Sequence, residues 1–124
     1  MKQQNKEKIE EALKVLEELK ELRGGDVAPF HRKMANDPKL IKAFTDEYKV
    51  CKKGIDHIPE KYVEFILMAL GCAKGVETTI KAHGALAIEK GATVEELGEL
   101  LRIILLYCGT SAVIPAVEIF EDLE

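Results

Sequence analysis

Apolar residues recur at three- and four-residue steps along most of the chain. Between Lys6 and Arg23, Ile9, Ala12, Leu13, Val15, Leu16, Leu19 and Leu22 form one stripe, and acids and lysines fill the opposite face. This spacing predicts a surface helix with one buried side. Gly24-Gly25 ends it, because glycine enters the left-handed region at low cost. Asp37-Pro38 reads as an N-cap followed by proline at the first helical position, and Leu40, Ile41, Phe44, Tyr48 and Cys51 carry the helical period on to Gly54. After a break at Asp56 to Pro59, residues 62–70 are apolar almost all round. A central helix fits that run, and so does a buried strand on periodicity alone. Gly71 and Gly75 interrupt it.

Helical spacing resumes from Val76 to Lys90 through Thr79, Ile80, His83, Ala87 and Ile88, and Gly91 stops it. Thr93-Val94-Glu95-Glu96 has the form of a capping box, with a hydroxyl for the Glu96 N–H and a carboxylate able to reach back. Leu97, Leu100, Leu101, Ile104 and Leu105 continue that helix to Tyr107. After the break at Gly109-Thr110-Ser111, residues 112–123 are predicted as a last helix with Pro115 near its start. Connections are short and no alternating strand pair occurs, so the expected fold class is all-α, in a single domain over 1–124.

Size and charge narrow the partners. A chain of 124 residues with 47% hydrophobic residues can build a core, and with 6% aromatics and no Trp that core rests on Leu, Ile, Val and Ala. A net charge of −4 supplies no broad field for phosphates, so no nucleic-acid partner is expected. The longest uninterrupted apolar run, Phe65 to Leu70, is far short of a membrane span. The polar stretch from Met1 to Lys8 has no apolar segment of a secretory leader. Cys51, Cys72 and Cys108 are an odd set without CxxC spacing, which points to free thiols in the cytoplasm. His31, His57 and His83 are too scattered to propose a metal site. Neither a GxGxxG nor a GxxxxGK[ST] pattern occurs, so no cofactor is expected.

Glu64 stands out because it is a carboxyl in the most apolar part of the chain, where burial is costly without a partner. His83 is the candidate partner across an antiparallel helix pair. An imidazole and a carboxyl in a partly dry cleft form a proton-transfer pair. The bland alternatives are a Glu64 on a solvated edge or in an ion pair between subunits, and a His83 that is a satisfied core histidine. Val76, Thr79 and His83 share one helical stripe, which Cys72 extends if the helix starts early; these three neighbours are the expected pocket lining. Lys74, Lys81 and Arg102 are basic residues of the same stretch.

The segment EFILMALGCAKG, then His83 in VETTIKAHGALAIEKG nineteen residues after Glu64, then ATVEELGELLRIILLYCGTSAVIPA, resembles the carboxymuconolactone decarboxylase and alkylhydroperoxidase D (AhpD-like) family over about residues 59 to 120. The resemblance implies a compact helical domain that assembles into dimers, trimers or hexamers. The peroxide-linked branch of that family carries C-x-x-C-x-x-x-H with a more distant Glu. By spacing from His83 its two thiols fall on Val76 and Thr79, so the CxxC pair is missing. The decarboxylase branch needs acid/base groups rather than a disulfide, and Glu64 and His83 suit it. The implied function is therefore a cofactor-free, carboxymuconolactone decarboxylase-like lyase acting on a small carboxylated, lactone-type substrate. Two alternatives stand beside it: a non-enzymatic ligand-binding or assembly module, and an AhpD-like thiol antioxidant acting through Cys72. The apolar segment 62–70 in a small domain adds an expectation of homo-oligomers.

Overall fold

A computed structural model describes all residues, 1–124, and contains helices and turns with no strand. The helices are α1 (Lys6–Leu22), α2 (Pro29–Met34), α3 (Pro38–Cys51), α4 (Glu60–Lys74), α5 (Glu77–Glu89), α6 (Val94–Cys108) and α7 (Thr110–Val113), followed by a 3-10 turn at Val117–Ile119. They form two compact units, Met1–Asp56 and His57–Glu124.

In the first unit, α1 lies along α3, and Ala12, Val15, Leu19, Val27 and Ile41 make its buried core. Of the stripe predicted for α1, Ala12, Val15 and Leu19 are buried and Ile9, Leu16 and Leu22 are partly so, whereas Leu13 is exposed. Asp37 caps α3 as its sequence suggested, its Oδ1 accepting from the Lys39 N–H at 3.1 Å. The short α2 was not expected. It forms because His31 substitutes for a capping side chain: the Ala28 N–H donates to His31 Nδ1 at 2.8 Å. The ring is fully buried and packs against Phe30 and Phe44, with centroids 4.0 and 4.9 Å away.

Because Nδ1 accepts, the ring is neutral and carries its proton on Nε2. Burial, then the charges of Arg23 and Arg32, holds the His31 pKa below its ordinary 6.5. A folded-state pKa below the unfolded one means that the unfolded chain takes up the proton first. The resulting penalty is absent above about pH 6.5 and grows as pH falls through the unfolded value towards the folded one. Urea titrations between pH 7 and 5 should show stability falling, and His31→Gln should flatten that fall. An unchanged slope in the variant would count against this account.

In the second unit, α4 and α5 form an antiparallel hairpin around the left-handed Gly75, whose φ is +71°. Glycine is needed again at Gly71, inside α4. A Cβ there would lie 3.0 Å from Thr79 Cγ2 and 3.1 Å from the Ile80 backbone nitrogen, so its absence lets the two helices approach closely. Met68, Cys72, Ile80, Leu101, Ile104 and Ala116 form the core beneath them. The Thr93 capping box starts α6, with Thr93 Oγ1 accepting from the Glu96 N–H at 3.1 Å and Glu96 Oε1 accepting from the Thr93 N–H at 3.3 Å.

The predicted helix over 112–123 is replaced by α7, a turn and the 3-10 segment. Pro115 lacks an N–H and its ring meets the carbonyl four residues back, so the helix cannot continue through it. Gly109, at φ +84° and ψ 178°, allows the chain to leave α6 and restart at once as α7.

Candidate functional site

The buried face of α4 is Val63, Glu64, Met68, Gly71 and Cys72. Glu64 is therefore held on the inner side by the same periodicity that buries Met68 one turn later. On α5 the buried set is Ile80, Gly84 and Ala87, with His83 half-buried at the edge of that face. The hairpin sets these two faces against each other. His83 Nδ1 stands 2.6 Å from Glu64 Oε2, with side-chain exposures of 23% and 4%. The carboxyl is sealed, and the ring is the more exposed of the two.

With Glu64 ionised, Nδ1 must be the protonated nitrogen and donates to Oε2. The lone pair of the neutral ring then lies on Nε2, turned away from the carboxylate. A carboxylate that fixes the tautomer and orientation of an imidazole leaves the far nitrogen to exchange protons with a bound molecule. The pairing expected from sequence is present.

Two charged residues near the pair were not singled out by sequence. Lys90 Nζ contacts Glu60 Oε2 at 2.9 Å, and the hydrogen bond to Glu60 holds the lysine pKa above its ordinary value. The charge of Glu64 adds to that rise, so Lys90 lies within its field. The available signal was positional: Glu60 precedes Glu64 by one turn, and Lys90 follows His83 by two, on matching stripes of an antiparallel hairpin. Charges at helix ends are ordinarily solvated, which hid the pairing.

The remaining predicted neighbours are dispersed. Gly75 breaks the helix between Cys72 and Val76, so the proposed continuous stripe does not form. Cys72 belongs to α4 and the core, where burial pushes its thiol pKa up. Val76 is the exposed N-cap of α5, and Thr79 is partly buried against Gly71. A cleft of about 580 Å³ is lined by Ile80, Ala85, Ile88, Ile114, Pro115 and Ile119, with Glu77, Lys81 and Glu118 as its charged members. Lys81, Ala85 and Ile88 leave α5 on the side opposite His83, since two residues along a helix turn about 200°. Lys81 is thereby placed away from the pair. Arg102 is exposed and faces Glu99 at 3.9 Å. No group of three or more His, Cys, Asp or Glu side chains is arranged to hold a metal ion, and no helix is long and apolar enough to cross a membrane.

Comparison with known proteins agrees with this architecture. The model of the carboxymuconolactone decarboxylase family matches residues 38–122. The alkylhydroperoxidase AhpD core from Rhodospirillum rubrum ATCC 11170 is similar in structure, with a TM-score of 0.71 and 30% sequence identity over 91% of this chain and 84% of that one. No curated protein matches the chain.

Proposed function

The chain belongs to the carboxymuconolactone decarboxylase family, and on that footing we propose that it is a cofactor-free lyase acting on a small carboxylated lactone through Glu64 and His83. The observation that carries this reading is the 2.6 Å contact between a sealed carboxyl and a partly open imidazole. Loss of CO₂ leaves the bonding electrons on carbon as a carbanion or its enolate. His83, once its Nε2 has taken up a proton from solvent, is an imidazolium that stabilises that charge and donates this proton to the carbon. Glu64 holds the ring in register and balances its charge while it is protonated. Lys90 supplies a cation near the pair for a substrate carboxylate.

The peroxide chemistry named for the similar structure has no CxxC here to run through, since Val76 and Thr79 occupy the two family positions. Free thiols at Cys51, Cys72 and Cys108 suit a reducing cytoplasm. Assembly into a homo-oligomer is supported by apolar surface: Tyr62, Ile66 and Leu70 on α4 and Ile103, Leu106 and Tyr107 on α6 are exposed.

Turnover of small carboxylated lactones by the wild-type chain, followed as CO₂ release or loss of lactone absorbance, tests the assignment. Glu64→Gln keeps the shape and removes the charge, and it should lower turnover by about two orders of magnitude. Turnover equal to wild type would remove Glu64 from the mechanism, and no turnover by the wild type would leave the ligand-binding reading in its place.

A further inference from the structure

Cys72 and Cys108 stand 36 positions apart in sequence, and the fold brings them to the same end of one helix pair. Lys61 Nζ and Glu96 Oε2 are 2.9 Å apart, which sets the start of α4 beside the first turn of α6. At their far ends, Cys72 shares a core cluster with Leu101 and Ile104. The two helices therefore run side by side in the same direction. Eleven residues beyond Lys61 is Cys72, and eleven beyond Glu96 is Tyr107; at about 1.5 Å of rise per residue the two positions are level. Cys108 follows Tyr107 and lies one turn past Ile104, a member of the buried cluster that holds Cys72. Their proximity also has an electrostatic mark, because the charge of Cys108 adds to the effect of burial in raising the Cys72 pKa.

Most buried cysteines act as small hydrophobes. Here the buried thiol has a second thiol beside it with the opposite exposure. Cys72 is 2% exposed, whereas Cys108 is exposed at the last position of α6, next to Gly109 with its φ of +84°. Final helix turns open more readily than helix interiors, and this one ends at a residue that accommodates the change of direction. One thiol can thus meet a solute while the other waits beneath it.

We propose that Cys72 and Cys108 are a redox-responsive dithiol, which small soluble disulfides oxidise to an intramolecular bond tying the end of α6 to α4. The Cys108 thiolate attacks one sulfur of the small disulfide, forming a mixed disulfide and releasing one thiol. Cys72, after giving up its proton to solvent, attacks the Cys108 sulfur, closes the protein disulfide and releases the second thiol. The protein loses two hydrogens and the oxidant gains them. Because burial pushes the Cys72 thiol pKa up, closure speeds up as pH rises. Closure requires the two Cα atoms to stand about 4.4–6.8 Å apart, which the last turn of α6 supplies by fraying.

Oxidised glutathione at pH 8 is a direct probe, followed by alkylation under denaturing conditions and non-reducing tryptic mass mapping. The expected product joins the peptides 62–74 and 103–124 within one chain, and Cys51→Ser gives the same product. Cys108→Ser should abolish it, and Cys72→Ala should stop at glutathionylated Cys108. Recovery of 62–74 as an alkylated thiol beside glutathionylated 103–124 in the wild type would overturn the proposal, as would a link between two chains. The readout needs no turnover, so its failure is separable from failure of the lyase assignment.

Discussion

Replacing His83 by alanine should lower lactone turnover by about two to four orders of magnitude, the range expected when a positioned acid/base group is lost. The size of the loss follows from geometry. His83 is the member of the pair with access to solvent, at 23% side-chain exposure against 4% for Glu64. A substrate that never touches the sealed carboxyl still depends on it through the ring. His83→Ala also removes the imidazole from a buried carboxylate, so the variant should be less stable, and folding must be checked by circular dichroism at the assay temperature. The loss should fall on kcat, because proton return belongs to the transition state and not to ground-state binding. An equally large loss confined to KM would make His83 a binding residue only.

The largest effect on stability is expected at Met68. Its side chain is fully buried between α4 and α5, with Sδ and Cε both 3.5 Å from where a Cβ on Gly84 would sit. Met68→Ala removes these contacts and leaves a cavity that rigid neighbouring helices fill only in part, at a cost of about 2–5 kcal/mol. Lys74→Ala, at an exposed position in the last turn of the same helix, should stay within about 0.5 kcal/mol. Urea denaturation of both variants checks the contrast. Equal midpoints would mean that the α4–α5 interface does not hold the second unit together.

What could be read from sequence was what depends on near neighbours in the chain. Asp37-Pro38 and the Thr93 capping box are satisfied within three residues, so their signals survive any tertiary arrangement. The Glu64–His83 contact was also legible, because two apolar helices joined by a short turn at Gly75 can hardly avoid packing antiparallel. The helix α2 was hidden for the opposite reason. Its start is capped by a histidine from inside the helix, held by Phe30 and Phe44. The false helix over 112–123 came from apolar spacing that outweighed Pro115. Distance in sequence hid the rest: Glu60 with Lys90 depends on hairpin register, and Cys72 beside Cys108 depends on the side-by-side course of α4 and α6.

The account rests on Glu64 and His83 acting as one unit, and a double-mutant cycle measures that directly. Lactone turnover would be compared for wild type, Glu64→Gln, His83→Ala and the double variant. If the carboxylate works only through the ring, the double variant should be no slower than His83→Ala, the two losses failing to add. Losses that multiply in full would show two independent contributions and would contradict the paired mechanism.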